Sequence, residues 1–319
     1  MRRLSHPART SIAIIIAASA ACGRSAPNRE PARDSAAGPE ATRILTGVNF
    51  RGPESVRYDP DQDVFFISNV NGGMSSRDGN GFIMRVSAAR PDTGLVFVRS
   101  GHDGVTLDAP KGLAITGDTL WVTDIDVVWG FDRRSGARVA MVDLRPLGAR
   151  FLNDIAAAPD GSLWLTDTGI EVDPRGRIPV GGDRIFRIGA GHAVTVVVEG
   201  DSLHEPNGIT WDSARGRWVV LPFQDLQNYI FLMDSAGMTR LPIVPGRGQF
   251  DGVEALPGRK LLVSSWGDSA VYLVTDSSSR RLLTGLVQPA DMGVDTKRGI
   301  LAVPLPNRDE VQYWKLSLR

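Results

Sequence analysis

The sequence predicts an all-β fold, a six-bladed β-propeller with four antiparallel strands per blade. Three observations support this prediction. A short phrase recurs six times along the chain, and strand-like segments separated by tight turns follow each copy, mostly at intervals of ~40–45 residues, the length of one propeller blade. The 35 glycines and 20 prolines, spread over 319 residues, indicate many turns. No repeat contains a convincing amphipathic helix, which disfavours a parallel α/β fold.

The first 21 residues are typical of a secretory signal. Arginines precede a short apolar run at 12–18, and small residues then lead to Cys22. The run is shorter than the ~20 apolar residues of a transmembrane helix. Cys22, the single cysteine, stands where bacterial lipoprotein precursors are acylated, so we expect an exported protein, periplasmic or at the cell surface, with a lipid on Cys22. Ser19 replaces the usual aliphatic residue of that signal, and ordinary cleavage beside an unmodified cysteine is the alternative.

Residues 22–41 have almost no large apolar side chains and are predicted to form a flexible tether. The propeller is therefore expected at 42–319, without an internal disulfide, because the chain has one cysteine. The 36 basic and 36 acidic side chains of the full 319-residue chain balance. This neutrality argues against nucleic acid and against membrane contact other than through the lipid. A small-molecule partner is more consistent with this neutral charge than a polyanion is.

The recurring phrase combines a proline or polar residue, a second polar residue, a small residue and an apolar strand. Its copies are at 53–56, 110–113, 152–155, 206–209, 250–253 and 289–292. The second strands are predicted at 64–69, 120–124, 163–167, 218–221, 261–265 and 300–303. The sixth unit ends after a third strand at 311–316, so a strand at 42–48 is predicted to supply its fourth strand and to close the ring.

The second position of the phrase is predicted to form a ring at one mouth of the central channel. Its occupants are Glu54, Lys111, Asn153, Asn207, Asp251 and Ala290. Two carboxylates and two carboxamides converging there would make an oxygen site that suits Ca²⁺. Zn²⁺ is disfavoured, because the ring has no cysteine or histidine. The alternative is that these are ordinary turn residues before a strand.

The segments 52–56, 152–154, 206–208 and 251–253 resemble the motifs of the regucalcin–gluconolactonase family, which includes luciferin-regenerating-enzyme-like proteins. The resemblance covers about 42–316. It implies a six-bladed propeller and calcium- or zinc-dependent hydrolysis of sugar lactones. The arginine with which family lactonases hold sugar hydroxyls has no convincing counterpart, so the substrate is left open.

The same resemblance implies roles for single residues. Glu54, Asn207 and Asp251 would be the protein ligands of the metal. Asn153 would contact the substrate or a metal-bound water. Lys111 occupies a ring position to which the resemblance assigns no role, and it is either a substrate-binding residue or a solvated lysine.

Catalysis would need a base. Asp251 is the first choice for accepting the proton of the attacking water, and Asp154 is the second. His102 and His204 lie on links at the same mouth and are more typical of exposed loop histidines. Two long loops, 70–80 and 169–182, are expected to shape the site.

The leading hypothesis is thus a metal-dependent hydrolase of a lactone or ester. One alternative is a propeller without catalytic activity that binds a sugar, a peptide or a partner protein at the same mouth. A second is phosphotriester hydrolysis, which other calcium propellers perform.

Overall fold

The computed structural model describes residues 48–241 and 246–316. Within these ranges the chain is a six-bladed β-propeller, and no helix is long and apolar enough to cross a bilayer. The predicted signal, the tether with Cys22 and nearly all of the predicted closing strand at 42–48 lie outside the described residues.

Five blades have four antiparallel strands, and the sixth has three among the residues that the structure describes. Blade 1 is β1 (Pro53–Asp59), β2 (Val64–Asn69), β3 (Phe82–Ser87) and β4 (Gly94–Arg99). Blade 2 is β5 (Leu113–Thr116), β6 (Thr119–Asp124), β7 (Val127–Asp132) and β8 (Arg138–Asp143). Blade 3 is β9 (Leu152–Ala157), β10 (Leu163–Asp167), β13 (Arg184–Ile188) and β14 (Val194–Glu199), with a separate hairpin of β11 (Ile170–Asp173) and β12 (Gly176–Pro179) between its second and third strands.

The remaining blades follow in chain order. Blade 4 is β15 (Pro206–Asp212), β16 (Arg217–Pro222), β17 (Ile230–Asp234) and β18 (Gly237–Leu241). Blade 5 is β19 (Phe250–Leu256), β20 (Lys260–Ser265), β21 (Ala270–Val274) and β22 (Ser279–Thr284). Blade 6 is β23 (Gly293–Asp295), β24 (Ile300–Leu305) and β25 (Glu310–Lys315). Short 3-10 turns are at Arg145–Leu147, Ala190–His192, Asp201–Leu203 and Pro306–Arg308.

One detail differs from the sequence prediction. The segment 169–182, expected as a loop, contains the β11–β12 hairpin.

Aspartates repeatedly close the turn between the first two strands of a blade. The Oδ1 atoms of Asp59, Asp212 and Asp295 each accept a hydrogen bond from the backbone N–H two residues later, all at 2.9 Å. This side chain–backbone bond fixes a tight turn, which is why these residue types end the first strands.

The innermost strands approach one another so closely that the third position of the phrase favours glycine. A Cβ on Gly112 would lie 2.6 Å from Asp154 Cα, and one on Gly252 would lie 2.5 Å from Asp291 Cα. On Gly208 it would clash with the Asp251 carbonyl oxygen. The recurring glycines are therefore a packing requirement around the channel.

Hydroxyl groups near the ends of the second strands join neighbouring blades. Thr123 Oγ1 donates to Asn153 O at 2.5 Å, and Thr166 Oγ1 donates to Asn207 O at 2.6 Å. Ser264 Oγ donates in the same way to Ala290 O at 3.0 Å. Each bond holds the backbone of the residue at the second phrase position of the next blade. These hydrogen bonds therefore fix the ring of residues at the channel mouth.

The ring closes between blades 1 and 6. Val56 N donates to Asp291 O at 3.1 Å, and Asp291 N donates to Glu54 O at 3.0 Å. Tyr313 of blade 6 is fully buried and packs against Phe65 of blade 1, with ring centres 5.5 Å apart. The two blades share one hydrophobic cluster.

Candidate functional site

Four of the six predicted ring residues line one cavity at the channel mouth. Glu54, Asn153, Asn207 and Asp251 come from blades 1, 3, 4 and 5, and their side chains surround a volume of about 280 Å³. Each sits near the start of its innermost strand, and all are buried, with exposed fractions of 2–5%. Two carboxylates and two carboxamides thus converge on the axis, as the repeat predicts.

Lys111 and Ala290 are not in the lining of this cavity. Lys111 is fully buried, so a solvated lysine, one of the two interpretations of this residue, is wrong. Its Nζ donates to Ala109 O at 3.1 Å and lies 4.2 Å from the centre of the Phe151 ring. Burial lowers the pKa of Lys111, while Asp124 and Glu54 act in the opposite direction. The Lys111 amine therefore lies behind the ring of Phe151 and outside the cavity lining.

Burial and mutual repulsion raise the pKa values of the two carboxylates of the cavity. Burial raises the pKa of Glu54 well above its usual value, and the neighbouring charges of Asp251 and Asp291 raise it further, against the opposing ammonium of Lys111. Burial likewise raises the pKa of Asp251, with contributions from Asp291 and Asp154. Both carboxylates are costly to ionise in the absence of a cation.

The donor set fits a hard divalent cation. Glu54 Oε2 and Asp251 Oδ1 are buried and have no hydrogen-bond partner in the described ranges. Unpartnered buried carboxylate oxygens are costly, and a cation would compensate them. No three His, Cys, Asp or Glu side chains of 48–241 and 246–316 lie close enough to hold a metal. The site therefore depends on the carboxamides of Asn207 and Asn153 as well, which suits Ca²⁺.

Asp154 lies outside the cavity lining, below the ring. Its Oδ2 accepts a hydrogen bond from Ile209 N at 2.7 Å, and its Oδ1 accepts one from Ile155 N at 2.7 Å. Burial and the charge of Asp291 raise its pKa well above the usual value. The side chain joins blades 3 and 4, and the structure does not bring it into the cavity.

Below this layer an ion pair crosses the channel. Arg57 Nη1 lies 2.9 Å from Glu254 Oε1, and Arg57 Nε donates to Leu113 O at 2.9 Å. Burial raises the pKa of Glu254 to about 7, although Arg57 acts in the opposite direction. Arg57 also lines a wider, open cavity of about 720 Å³ that belongs to the other mouth.

The aromatic walls of the upper cavity were not anticipated from the sequence, whereas the long segments 70–80 and 169–182 contribute to its lining as expected. Six of the thirteen lining residues have apolar side chains: Met74, Phe151, Ile170, Val172, Phe223 and Trp266. Phe223 and Trp266 meet edge to face, with ring centres 5.3 Å apart. The remaining polar groups there are Arg177, Gln288 and the indole N–H of Trp266, which has no hydrogen-bond partner in the described ranges.

The two long loops meet above the mouth. Val172 N, on β11, donates to Ser75 Oγ at 3.0 Å and so links the hairpin to the loop after β2. Arg177, on β12, reaches blade 4, where its Nη1 lies 2.8 Å from Glu205 Oε2 and its Nη2 lies 3.1 Å from Asp225 Oδ1. The hairpin is therefore fixed at both sides as a roof over the cavity.

Neither candidate histidine belongs to the cavity lining. His204 Nδ1 is hydrogen-bonded to Gln224 Oε1 at 2.9 Å. His102 is exposed and lies by a different surface depression, beside Asp103 and Arg138. Proton transfer in the cavity would fall to a carboxylate.

A scan against models of known protein families finds no match. A search among curated proteins finds none either.

Solved structures share the fold. A gluconolactonase from Xanthomonas campestris superimposes with a TM-score of 0.66 over 86% of this chain and 90% of that chain, at 17% identity. Virginiamycin B lyase from Staphylococcus aureus, solved with quinupristin, gives 0.59 over 87% and 99%, at 16% identity. Nidogen in a complex with laminin gives 0.55 over 83% and 85%, at 17% identity. At these identities the likeness shows the propeller fold alone.

Proposed function

We propose that this protein is a divalent-metal-dependent hydrolase that cleaves a small lactone or ester at the upper mouth. One observation carries the proposal. Glu54 and Asp251 meet two carboxamides in a buried cavity, and each carboxylate keeps an oxygen without a partner in the described part of the chain. The family resemblance of the motifs and the shared fold with a gluconolactonase support the same reaction class.

Glu54, Asn207 and Asp251 would hold the metal, most suitably Ca²⁺, since all three offer oxygen ligands. When bound, such an ion would polarise the substrate carbonyl and lower the pKa of a bound water. Three protein ligands leave coordination positions for water and substrate. Asn153, whose Nδ2 donates to Thr168 Oγ1 at 2.9 Å, presents its carboxamide to the same cavity and would orient the substrate.

Asp251 would accept a proton from the attacking water. The water oxygen forms a bond to the carbonyl carbon, the acyl C–O bond breaks, and the proton passes to the leaving oxygen. One lactone and one water thus give one hydroxy acid. We assign this role to Asp251 rather than Asp154, because both oxygens of Asp154 accept backbone hydrogen bonds.

The test is hydrolysis of a panel of aryl esters and lactones by the purified mature chain. Activity should disappear with a chelator and return with Ca²⁺. The exposed Asp103, on a link at the same face, provides a matched control, and Asp103→Asn should keep full activity. Absence of metal-dependent turnover across the panel would refute the hydrolase and favour the alternative of a binding propeller. Turnover of phosphotriesters alone would favour the second alternative.

A further inference from the structure

We infer that this site selects a substrate that carries an aromatic ring or a short apolar chain, not a polyhydroxylated sugar. The identity of the reacting group, a lactone or ester, rests on the proposed function. The nature of the substituent that this group carries rests on the residues of the cavity walls.

The walls of the cavity are aromatic at two places. Phe151 directly precedes the innermost strand of blade 3 and has an exposed fraction of 4%, and Phe223 directly follows the second strand of blade 4 and has an exposed fraction of 8%. Trp266 meets Phe223 edge to face, and Met74 completes the lining from the loop after β2. Aromatic walls around a small cavity favour a flat ring through burial of apolar area.

The roof is apolar as well. Ile170 and Val172 on β11 face the cavity, and the bond from Val172 N to Ser75 Oγ holds this strand in place. A substituent lying under β11 would therefore meet hydrocarbon rather than hydrogen-bond donors.

Few polar groups remain for sugar hydroxyls. Four of the polar side chains in the lining form the proposed metal and substrate-carbonyl set. The guanidinium of Arg177 is already paired with Glu205 and Asp225 and lies over the Phe223 ring, 5.2 Å from its centre. Among the lining residues, only Gln288 and the indole N–H of Trp266 are left to meet a hydroxyl-rich substrate. Each hydroxyl buried without a partner would cost binding free energy, so such a cavity rejects a sugar.

The volume limits the size of the substrate. At about 280 Å³ the cavity is at the lower edge of ordinary small-molecule sites. A single ring fused to or substituted on the lactone fits this space better than an extended molecule.

The experiment compares two six-membered lactones on the mature chain with Ca²⁺, 3,4-dihydrocoumarin and D-glucono-δ-lactone. We expect kcat/KM for the aryl lactone to be higher by about 10²-fold, after correction for the uncatalysed rates. Val172→Thr, which places a hydroxyl in the roof at constant size, should reduce that preference about fivefold. The matched control is Val196→Thr, on the exposed outer strand of blade 3, which should not change it.

Binding of the corresponding lactams separates this inference from the proposed function, because they are not hydrolysed by an esterase. Calorimetry should detect 3,4-dihydroquinolin-2-one, with a negative heat-capacity change, and not gluconolactam. If no lactone is hydrolysed but the aryl lactam binds, the hydrolase fails and the selectivity stands. Preference for the sugar lactone or its lactam, or binding of neither lactam, would overturn the inference.

Discussion

At the scale of single residues, Asp251 combines two proposed roles that a conservative change separates. Asparagine keeps an oxygen for the metal but cannot accept the proton of the attacking water. We therefore expect Asp251→Asn to lower kcat by about 10²-fold or more, with a smaller change in metal affinity. Steady-state kinetics at saturating Ca²⁺, together with calorimetric metal titration, measures both effects.

Asp251→Ala provides the comparison, because it removes the ligand as well as the base. It should abolish metal binding and activity together. Equal loss of metal affinity in the two variants would show that Asp251→Asn removes the metal ligand together with the base. A normal kcat in Asp251→Asn would exclude Asp251 as the base.

Lys111 gives a second prediction at this scale. Its buried ammonium lies among Glu54, Asp124 and Asp167, and a cation near Glu54 opposes the binding of another cation. Lys111→Met keeps the shape and removes the charge, so the Kd for Ca²⁺ should fall about fivefold, roughly 1 kcal/mol. Calorimetry measures this change. Lys297→Met, on the opposite face, is the control, and an unchanged or higher Kd in Lys111→Met would contradict the placement of the amine.

At the scale of elements, the sequence predicts the innermost strands well. The second residues of the six phrases occupy equivalent positions of the repeat, and the side chains of four of them line one cavity. The burial of Lys111 was not predictable, because it depends on Phe151 from the link before blade 3.

The aromatic walls were not predictable, and the segment 169–182, which was expected at the site, was not predicted to form a hairpin. Phe223 and Trp266 occupy equivalent positions directly after the second strands of blades 4 and 5. The first three blades have Val70, Ile125 and Thr168 at this position, so the repeat does not mark it as aromatic.

The hairpin has alternating Ile170 and Val172, but Pro174 and several glycines nearby are typical of a loop. The hairpin also contacts the loop after β2 and blade 4, and the repeat does not show these contacts.

The close approach of the innermost strands gives a prediction for Gly208. Gly208→Ala would drive a Cβ into the Asp251 carbonyl oxygen, so blades 4 and 5 would have to separate. We expect a loss of about 3 kcal/mol or more in the free energy of unfolding, or failure to fold. Urea unfolding measures it. Gly189→Ala, at a site whose nearest neighbour would be 3.7 Å from the new Cβ, should change stability little. Equal stability of the two variants would refute this account of the inner ring.

At the scale of the whole molecule, an ion pair fastens blade 1 to blade 6. The Nη1 and Nη2 atoms of Arg298 donate to the two oxygens of Asp63 at 2.7 and 2.6 Å, and Tyr58 donates to Asp63 as well. The Arg298 guanidinium lowers the pKa of Asp63 to about 2. The ion pair adds a polar contact to the hydrophobic cluster that blades 1 and 6 share where the propeller closes.

The stability that this pair contributes depends on pH. The pKa of Asp63 is depressed in the folded state and about 3.9 in the unfolded chain, so the contribution is complete above pH 4 and is lost as the pH falls towards 2. Asp63→Asn should lower the free energy of unfolding by about 1 kcal/mol at pH 7, because the pair is partly solvated. Urea unfolding from pH 7 to pH 2 should show the difference shrinking below pH 4. A difference that grows there, or one that Asp92→Asn in an exposed turn reproduces, would contradict this role.

The central claim is that the upper mouth of the propeller binds a divalent cation, and thermal unfolding of the protein during a Ca²⁺ titration tests it most directly. A cation that binds the folded state alone adds about 2.7 kcal/mol of stability at 100 times its Kd, so the Tm should rise with Ca²⁺ concentration in the wild type and stay constant in Asp251→Ala. Melting curves that do not change with Ca²⁺, Mg²⁺, Mn²⁺ or Zn²⁺ would contradict the claim.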